Sequence, residues 1–375
     1  MTKTRALAGA LALALGLGVA VERVRAAAPA QPVQLVIGYQ PYYAAAWGAL
    51  VVKERELWKK YLPPGSTIDW EVGLQGSVIT NNMLAGKYQV GYVGDMPGIV
   101  ATTKRAQGDI RIVMMTSYSE QMCNNLLVRP DAPAFKTPHE AARWLNGKNV
   151  AIPRGTCSDR FAREVFKREN VTPGTVENEG LEAVLANLRA GKLDAAFLWE
   201  PNASHVGEIV GNKSARLAAT GSDWGFFDGG EIIVNKTLLD QRPDVVTGLL
   251  KAEIEAEQFI TSNYPANACA LVDYAEKNTT GYEKKELWYA LFGRPEFAGA
   301  NEKGVRWDPH VVFDAPVRSF LSDASTFLLD NKVISEQMPG DAIVDAPLHA
   351  ALGALHVSKP LGPVKVHPAT QYPCG

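Results

Sequence analysis

The sequence predicts an α/β protein with two lobes, and three features of the chain carry this prediction. Residues 71–100 contain two consecutive units of strand, turn and helix. The same order begins again over residues 137–201, after an apolar strand pattern at 125–128. From residue 243 onward the apolar spacing is mostly helical. Each strand of the two sets ends in a turn rich in polar and aromatic side chains, so we expect two α/β lobes that face each other.

Two turns of the first set are expected to lie side by side. One follows the extended run at 71–74 and leads into a helix that Ser77 is expected to cap, and the other follows the strand at 88–93. Strand-to-helix turns of a parallel sheet meet at the carboxyl ends of the strands, and the first N–H groups of each helix point there. A polar or anionic group is therefore expected at this crevice. Its first predicted residues are Gln75, Gly76, Ser77, Gly94, Asp95 and Met96.

Further elements follow from the same patterns. We predict a strand over 33–39, a helix over 44–60 and a strand over 109–115. Thr137 and Glu140 have the spacing of a capping box and predict a helix start. At a net charge of -2 with interspersed signs, the chain has no basic stripe. Nucleic acid is therefore not expected as a partner.

The N-terminus has the features of a secretory signal peptide. Lys3 and Arg5 precede a short run of small and apolar residues at 6–21, and small-residue cleavage options follow at Ala26 and Ala28. We predict a signal peptide over 1–26 and an exported, soluble mature protein. An uncleaved membrane anchor is the alternative.

Export makes disulfides possible, and the chain has four cysteines. Four cysteines allow three pairings, and the sequence does not choose among them. Cys123 with Cys157 is our preferred pair, because both lie in turn-like stretches expected near the crevice. The proline-rich tail at 358–375 is expected to be loop, unless Cys374 ties it to Cys269. Four free, buried thiols are the alternative.

The order of segments resembles a known family. The sequence segments that carry the resemblance are IGYQP, GLQGS, GKYQVGYVGDMP, NVAIPRGT and GKLDAAFLWEP, followed by the predicted strand EIIVNK. They resemble the periplasmic substrate-binding proteins of ABC importers for nitrate, taurine, aliphatic sulfonates and thiamin-pyrimidine precursors. The resemblance covers essentially the whole mature chain.

This resemblance implies a two-lobed periplasmic binding protein fold of the type II-like class, with a helical C-terminal region packed on lobe one. It implies that a small solute is held between the lobes and handed to an ABC permease at the inner membrane. A monomer in the periplasm, without a cofactor, is expected. The implied domains are lobe one at 33–123, lobe two at 124–229, the return to lobe one with the C-terminal helices at 230–357, and a tail at 358–375.

The resemblance and the turn chemistry together extend the predicted ligand site. Tyr42, Trp199 and Trp224 are expected to offer ring faces to the ligand. Ser77, Thr156 and Ser158 would donate hydroxyl hydrogen bonds, with simple helix capping as the alternative for each. The site residues added in this way are Gln40, Tyr42, Glu120, Arg154, Thr156, Cys157, Ser158, Trp199, Glu200 and Trp224.

Carboxylates in these turns complicate the simplest anion site. A buried carboxylate such as Asp95 or Glu200 beside a bare nitrate or sulfonate would cost free energy through charge repulsion, unless arginines such as Arg154 and Arg160 pair with it. A carboxylate that faces the ligand would instead favour a zwitterion or a nitrogen heterocycle. A cation held by the carboxylates and cysteines is a further alternative.

An enzyme is not expected. The sequence has no G-x-S-x-G, H-E-x-x-H, Walker or G-x-G-x-x-G motif in the right context. The sequence and its resemblance therefore predict a solute-binding component of an ABC importer for a sulfonate, a taurine-like zwitterion or a small nitrogenous compound. An enzyme of pyrimidine metabolism on the same fold, a metal-binding periplasmic protein and a periplasmic sensing partner are the alternatives.

Overall fold

The computed structural model describes residues 31–358 and 360–375. The predicted signal peptide lies outside these residues. Within these residues, ten strands form two sheets. The strands are β1 (Gln34–Tyr39), β2 (Thr67–Val72), β3 (Val90–Gly94), β4 (Ile110–Ser119), β5 (Asn125–Val128), β6 (Asn149–Ala151), β7 (Thr175–Glu177), β8 (Ala195–Leu198), β9 (Arg216–Thr220) and β10 (Asp228–Asn235).

Helices cover both sheets. They are α1 (Gly48–Glu54), α2 (Gly76–Leu84), α3 (Asp95–Thr103), α4 (Pro138–Trp144), α5 (Cys157–Glu169), α6 (Leu181–Arg189), α7 (Asn202–Val206), α8 (Lys236–Gln241), α9 (Pro243–Thr261), α10 (Ala266–Asn278), α11 (Lys284–Phe292), α12 (Ala315–Asp330) and α13 (Ala346–Ala354). None of the helices in the described part of the chain is long and apolar enough to cross a membrane.

Each sheet is the centre of one lobe. Sheet one has the strand order β2-β1-β3-β10-β4, and sheet two has the order β7-β6-β8-β5-β9. In each, the consecutive βα units pair in parallel, whereas β10 in sheet one and β5 in sheet two run antiparallel to both neighbours. The chain crosses from sheet one to sheet two between β4 and β5, and it returns between β9 and β10. The two-lobed α/β prediction is confirmed.

The two crossing segments bond to each other. The N–H of Gly221 donates to the carbonyl oxygen of Asn124 at 2.8 Å, and the Asn124 amide donates to the carbonyl oxygen of Phe226 at 3.0 Å. Asp228, at the start of β10, accepts from the Cys123 N–H at 2.9 Å and from the Ser119 hydroxyl at 2.9 Å. These bonds fix where one lobe is joined to the other.

The C-terminal helices pack on lobe one, as predicted. Helix α9 packs against α1, α12 against α3, and α13 against α9 and β4. Their contacts extend one large apolar core, which includes the fully buried Trp47, Trp288 and Trp307. The Cys269–Cys374 disulfide ties the tail to α10.

Several local predictions were wrong. The helix predicted over 44–60 is broken into a 3-10 turn (Ala44–Ala46), α1 and a second 3-10 turn (Leu57–Lys60). The second break lies at Glu56, which adopts a left-handed conformation with φ 51°. Ser77 does not cap α2, since the N-cap position is Gln75. Strand β4 continues four residues beyond the predicted end at residue 115, and helix α13 was not predicted.

Candidate ligand-binding site

A cavity with about 300 Å³ of empty volume lies where the carboxyl ends of strands from both sheets meet. Lobe one contributes the turns that follow β1, β2 and β3, and lobe two contributes the segments that follow β6 and β8. The lining residues are Gln40, Tyr43, Gln75, Gly76, Gly94, Pro97, Thr156, Cys157 and Trp199.

Three helix N-termini converge on this cavity. The N-cap residues of α2, α3 and α5 are Gln75, Gly94 and Thr156, and all three line it. The first N–H groups of a helix have no acceptor within the helix, and the helix dipole adds positive potential at that end. The cavity therefore favours an oxyanion, which would accept hydrogen bonds from both lobes at once.

Gly76 allows two of these helix starts to approach. A Cβ atom at this position would lie 2.4 Å from Cγ of Pro97, at the start of α3. That distance is well inside van der Waals contact, so only glycine lets α2 begin so close to α3.

Polar side chains of the lining are held in place by backbone groups. The Gln40 amide donates to the carbonyl oxygen of Tyr92 at 3.2 Å, and the Tyr43 hydroxyl donates to the carbonyl oxygen of Gly229 at 3.0 Å. The Thr156 hydroxyl donates to the carbonyl oxygen of Pro153 at 2.6 Å and accepts from the N–H of Asp159 at 3.3 Å. Thr156 is therefore a helix cap, and its backbone rather than its hydroxyl is available to a ligand.

Trp199 connects the two lobes at the cavity wall. Its indole Nε1 donates to the carbonyl oxygen of Tyr42 at 2.8 Å, and the N–H of Ala44 donates to the carbonyl oxygen of Glu200 at 2.8 Å. The turn after β8 thus bonds directly to the turn after β1.

The Cys123–Cys157 disulfide joins the crossing segment to the start of α5, with a Cα–Cα distance of 5.9 Å. Cys157 lines the cavity, whereas Cys123 is fully buried. The structure therefore contains the preferred pair of the sequence analysis, and it places one sulfur beside the candidate ligand site.

Nine of the residues predicted from sequence do not line the cavity. They are Tyr42, Ser77, Asp95, Met96, Glu120, Arg154, Ser158, Glu200 and Trp224. Ser77 and Arg154 are exposed, and Met96 is fully buried in the core of lobe one. Tyr42 points away, because its hydroxyl accepts from the N–H of Thr280 at 3.1 Å and its ring packs on Tyr282.

The other displaced polar residues have protein partners. The Ser158 hydroxyl donates to the carbonyl oxygen of Cys123 at 2.9 Å, and Glu120 accepts from the N–H of Val305 at 2.9 Å. Trp224 donates from its indole to Glu169 at 2.9 Å. Each of these side chains holds the crossing segments or lobe two together.

Glu200 forms a buried ion pair that the sequence did not reveal. One of its oxygens lies 2.7 Å from Nη2 of Arg306, and the other accepts from the N–H of Ser204 at 2.9 Å. Arg154 and Arg160 were the expected partners of such carboxylates. In the described part of the chain neither forms an ion pair within 4.0 Å, and the arginine from the C-terminal region takes that role.

Three buried carboxyl groups lie behind the cavity, near Tyr43. Burial raises the pKa of Asp95 to about 6, against an opposing effect of Arg160 and of the Met96 N–H. Burial raises the pKa of Asp228 to about 8 and that of Glu231 well above its usual range. Asp228 and Glu231 are therefore largely neutral at pH 7 and place little negative charge beside a bound anion. Asp95, with a pKa of about 6, is mostly ionised at that pH, and its Oδ1 already accepts from the Met96 N–H at 2.8 Å.

The sequence also missed two lining residues. Tyr43 lines the cavity in place of its neighbour Tyr42, and Pro97 lines it beside Gly76. The pattern QPYY contained both tyrosines, but only the turn geometry decides which ring faces inward. Among residues 31–358 and 360–375, no group of three His, Cys, Asp or Glu side chains is placed to hold a metal ion.

Residues 28–274 match the NMT1-like family. The chain belongs to that family. It is 26% identical over 238 residues to the taurine-binding periplasmic protein of Escherichia coli K12, a match that covers 62% of this chain and 68% of the relative.

Solved structures share the fold. The alkanesulfonate-binding protein SsuA of Xanthomonas axonopodis pv. citri, bound to MOPS, superposes with a TM-score of 0.67 at 18% identity, covering 84% of this chain and 100% of that one. The periplasmic nitrate-binding protein NrtA of Synechocystis PCC 6803 gives 0.67 at 14% identity, with coverage of 87% and 90%. The desulfurization enzyme DSZB gives 0.59 at 17% identity, with coverage of 86% and 99%. The same fold therefore occurs in binding proteins and in an enzyme.

Proposed function

We propose that this protein is the periplasmic solute-binding component of an ABC importer and that it binds a small organic sulfonate between its lobes. The observation that carries the proposal is the convergence of three helix N-termini, from both lobes, on one cavity. A sulfonate has three oxygens and a full negative charge, so it can accept from all three helix starts.

The lining residues favour a sulfonate over a ligand that would be recognised through its ammonium group. No carboxylate belongs to the described lining residues, and Glu200 is engaged by Arg306. The apolar wall formed by Tyr43, Pro97 and Trp199 suits a short organic body. Taurine also fits this description, with its ammonium group over an aromatic ring or on a backbone carbonyl.

Delivery to a permease requires that the lobes open and close. We place the hinge in the two crossing segments, with lobe boundaries near residues 123–124 and 229–230. A protein of this kind is expected to act as an exported monomer that docks on its permease. Hinge closure around a ligand is an established motion of such two-lobed proteins.

Binding rather than catalysis is proposed for the cavity. Its described lining contains no histidine, and its one cysteine is bonded to Cys123 rather than free as a nucleophile. These features favour a carrier over an enzyme of the same fold.

A thermal-shift screen of the purified protein tests the proposal. The panel is methanesulfonate, taurine, nitrate, pyrimidines, simple amines and divalent metal ions. A ligand at about a hundred times its dissociation constant stabilises the folded protein by about 2.7 kcal/mol. We expect shifts with the sulfonates that are lost in Gly76→Ala. Shifts with amines or metal ions alone, or turnover of a sulfonate, would overturn the proposal.

A further inference from the structure

A second concave site lies apart from the cavity. It is a groove with about 710 Å³ of empty volume, and it shares no lining residue with the cavity. We call it the arginine groove. Its walls come from β4, from α5, from the segment between β9 and β10, and from α12, so both lobes contribute. The lining residues used below are Tyr118, Arg160, Arg168, Phe227, Phe320 and Asp323.

Arg160 is a buried cation with few partners. Arg160 is 9% exposed, and its guanidinium carbon lies 4.5 Å from the ring centroid of Phe226 and 5.1 Å from that of Phe320. Within the described part of the chain, the one hydrogen bond of its guanidinium group runs from Nη1 to the carbonyl oxygen of Phe227 at 3.4 Å. A guanidinium group has five N–H donors, so most of its donors are left for an occupant of the groove.

No carboxylate neutralises this charge at contact distance. Among residues 31–358 and 360–375, no carboxylate oxygen lies within 4.0 Å of an Arg160 nitrogen. Asp95, Asp323, Glu164 and Asp228 attract it from farther away, but the raised pKa of Asp228, about 8, leaves that group mostly neutral at pH 7. Burial lowers the pKa of Arg160, yet an arginine remains charged. A buried charge of this kind is costly until an anion pairs with it.

The remaining walls are flat and aromatic. The Tyr118 and Phe227 rings stack with centroids 4.3 Å apart and an interplanar angle of 11°, and Phe320 meets Tyr118 edge-on at 5.5 Å. Arg168 stands at the rim, where its Nε pairs with Glu164 and its Nη1 donates to the carbonyl oxygen of Trp224. Asp323 stands exposed on α12 and adds a negative charge to the groove.

We propose that the arginine groove binds an organic monoanion, a carboxylate or sulfonate carried on a flat apolar body. The planar guanidinium of Arg160 offers a two-pronged donor edge to the oxyanion. The Tyr118, Phe227 and Phe320 rings cover the body of the ligand, and Asp323 disfavours a second negative charge. This inference does not depend on what the cavity binds.

The probe for this proposal is 4-fluorobenzoate, followed by ¹⁹F NMR titration of the purified protein and by its position in a crystal of the complex. We expect saturable binding with the carboxylate on Arg160. Arg160→Met keeps the apolar length of the side chain and should weaken binding about tenfold or more, as loss of hydrogen bonds to a charged group does. Asp323→Asn should tighten it.

Two further variants keep the test decisive. Ser319→Trp, on the exposed face of α12, fills the groove without touching the core, and it should abolish binding even if Arg160→Met fails to fold. Trp199→Ala alters the cavity and should leave this binding unchanged. Binding that survives Ser319→Trp, or that is lost only in Trp199→Ala, would overturn the proposal, as would no saturable binding at all.

Discussion

The indole nitrogen of Trp199 in lobe two donates a 2.8 Å hydrogen bond to the carbonyl oxygen of Tyr42 in lobe one. The donor ring is 4% exposed and lines the cavity, so one side chain both closes the cavity wall and connects the lobes. A ligand that binds the closed form would depend on this bond even where it touches only the ring face.

Trp199→Ala should therefore weaken ligand binding more than it lowers the melting temperature. Loss of the ring removes a wall of the cavity and an interlobe bond, and a buried aromatic anchor of this kind contributes about 2 kcal/mol or more. Calorimetric titration with the best sulfonate of the thermal-shift screen measures the effect. Trp224→Ala is the matched control, because Trp224 lies outside the cavity lining and should leave the affinity unchanged. Equal affinities for Trp199→Ala and the wild type would remove Trp199 from the site.

Cys123 and Cys157 should both resist alkylation in unreduced protein, since the structure joins them. Replacing both by alanine should destabilise the fold by about 2–4 kcal/mol. Because Cys157 lines the cavity, ligand affinity should fall as well.

The Cys269–Cys374 pair provides the control for this disulfide. Its double alanine variant should lower the melting temperature without a change in ligand affinity, because neither residue is near the cavity lining. Mass spectrometry after alkylation checks the pairing, and labelling of Cys123 and Cys157 in native protein would disprove it.

Local patterns in the sequence predicted much of the fold. Strand β5 has the predicted bounds, and the predicted helix start at Thr137 is confirmed, because its side chain accepts from the Glu140 N–H. The capping box is half formed, since the Glu140 carboxylate accepts from the Lys136 N–H and not from that of Thr137. These features depend on residues a few positions apart, whose spacing the sequence displays directly.

The candidate site was less predictable, because its decisive contacts join distant residues. Glu200 pairs with Arg306, and the two are 106 positions apart in the chain. The inward position of Tyr43 rather than Tyr42 is set by bonds to Gly229 and Thr280. No spacing pattern in the sequence encodes such partners. The sequence therefore indicated which turns line the cavity but not the direction in which several of their side chains point.

Removing one partner of the Glu200–Arg306 ion pair should lower the free energy of unfolding. Both side chains are almost fully buried, at 3% and 1% exposure, so Arg306→Met leaves a buried carboxylate without its partner. We expect a loss of about 3–5 kcal/mol from the free energy of unfolding, measured by urea denaturation. The double variant Glu200→Gln/Arg306→Met should recover part of that loss, and a merely additive double variant would show that the two residues are not coupled.

Gly76→Ala should reduce ligand affinity through the backbone. The added Cβ would lie 2.4 Å from Pro97 Cγ, which forces the starts of α2 and α3 apart and moves their N–H groups off the ligand. Gly353→Ala in α13 is the control, because a Cβ there meets nothing within 4 Å, and it should be neutral or stabilising by up to about 1 kcal/mol. Equal affinities for Gly76→Ala and the wild type would show that this helix start does not contact the ligand.

The buried carboxyl groups predict a fall in stability as the pH rises. Burial raises the pKa of Asp228 to about 8, so the folded state holds a proton that the unfolded state releases above about pH 4. Its contribution to stability is therefore fully present at about pH 4, declines as the pH rises and levels off above pH 8, with a limiting slope of about 1.4 kcal/mol per pH unit.

Melting temperatures measured from pH 5 to 8 should show this decline, and Asp228→Asn should make it shallower while keeping an acceptor for the Cys123 N–H. Asp330→Asn, at the exposed end of α12, is the surface control. An unchanged slope in Asp228→Asn would mean that Asp228 is already ionised in the folded protein and carries its charge behind the cavity, near Tyr43.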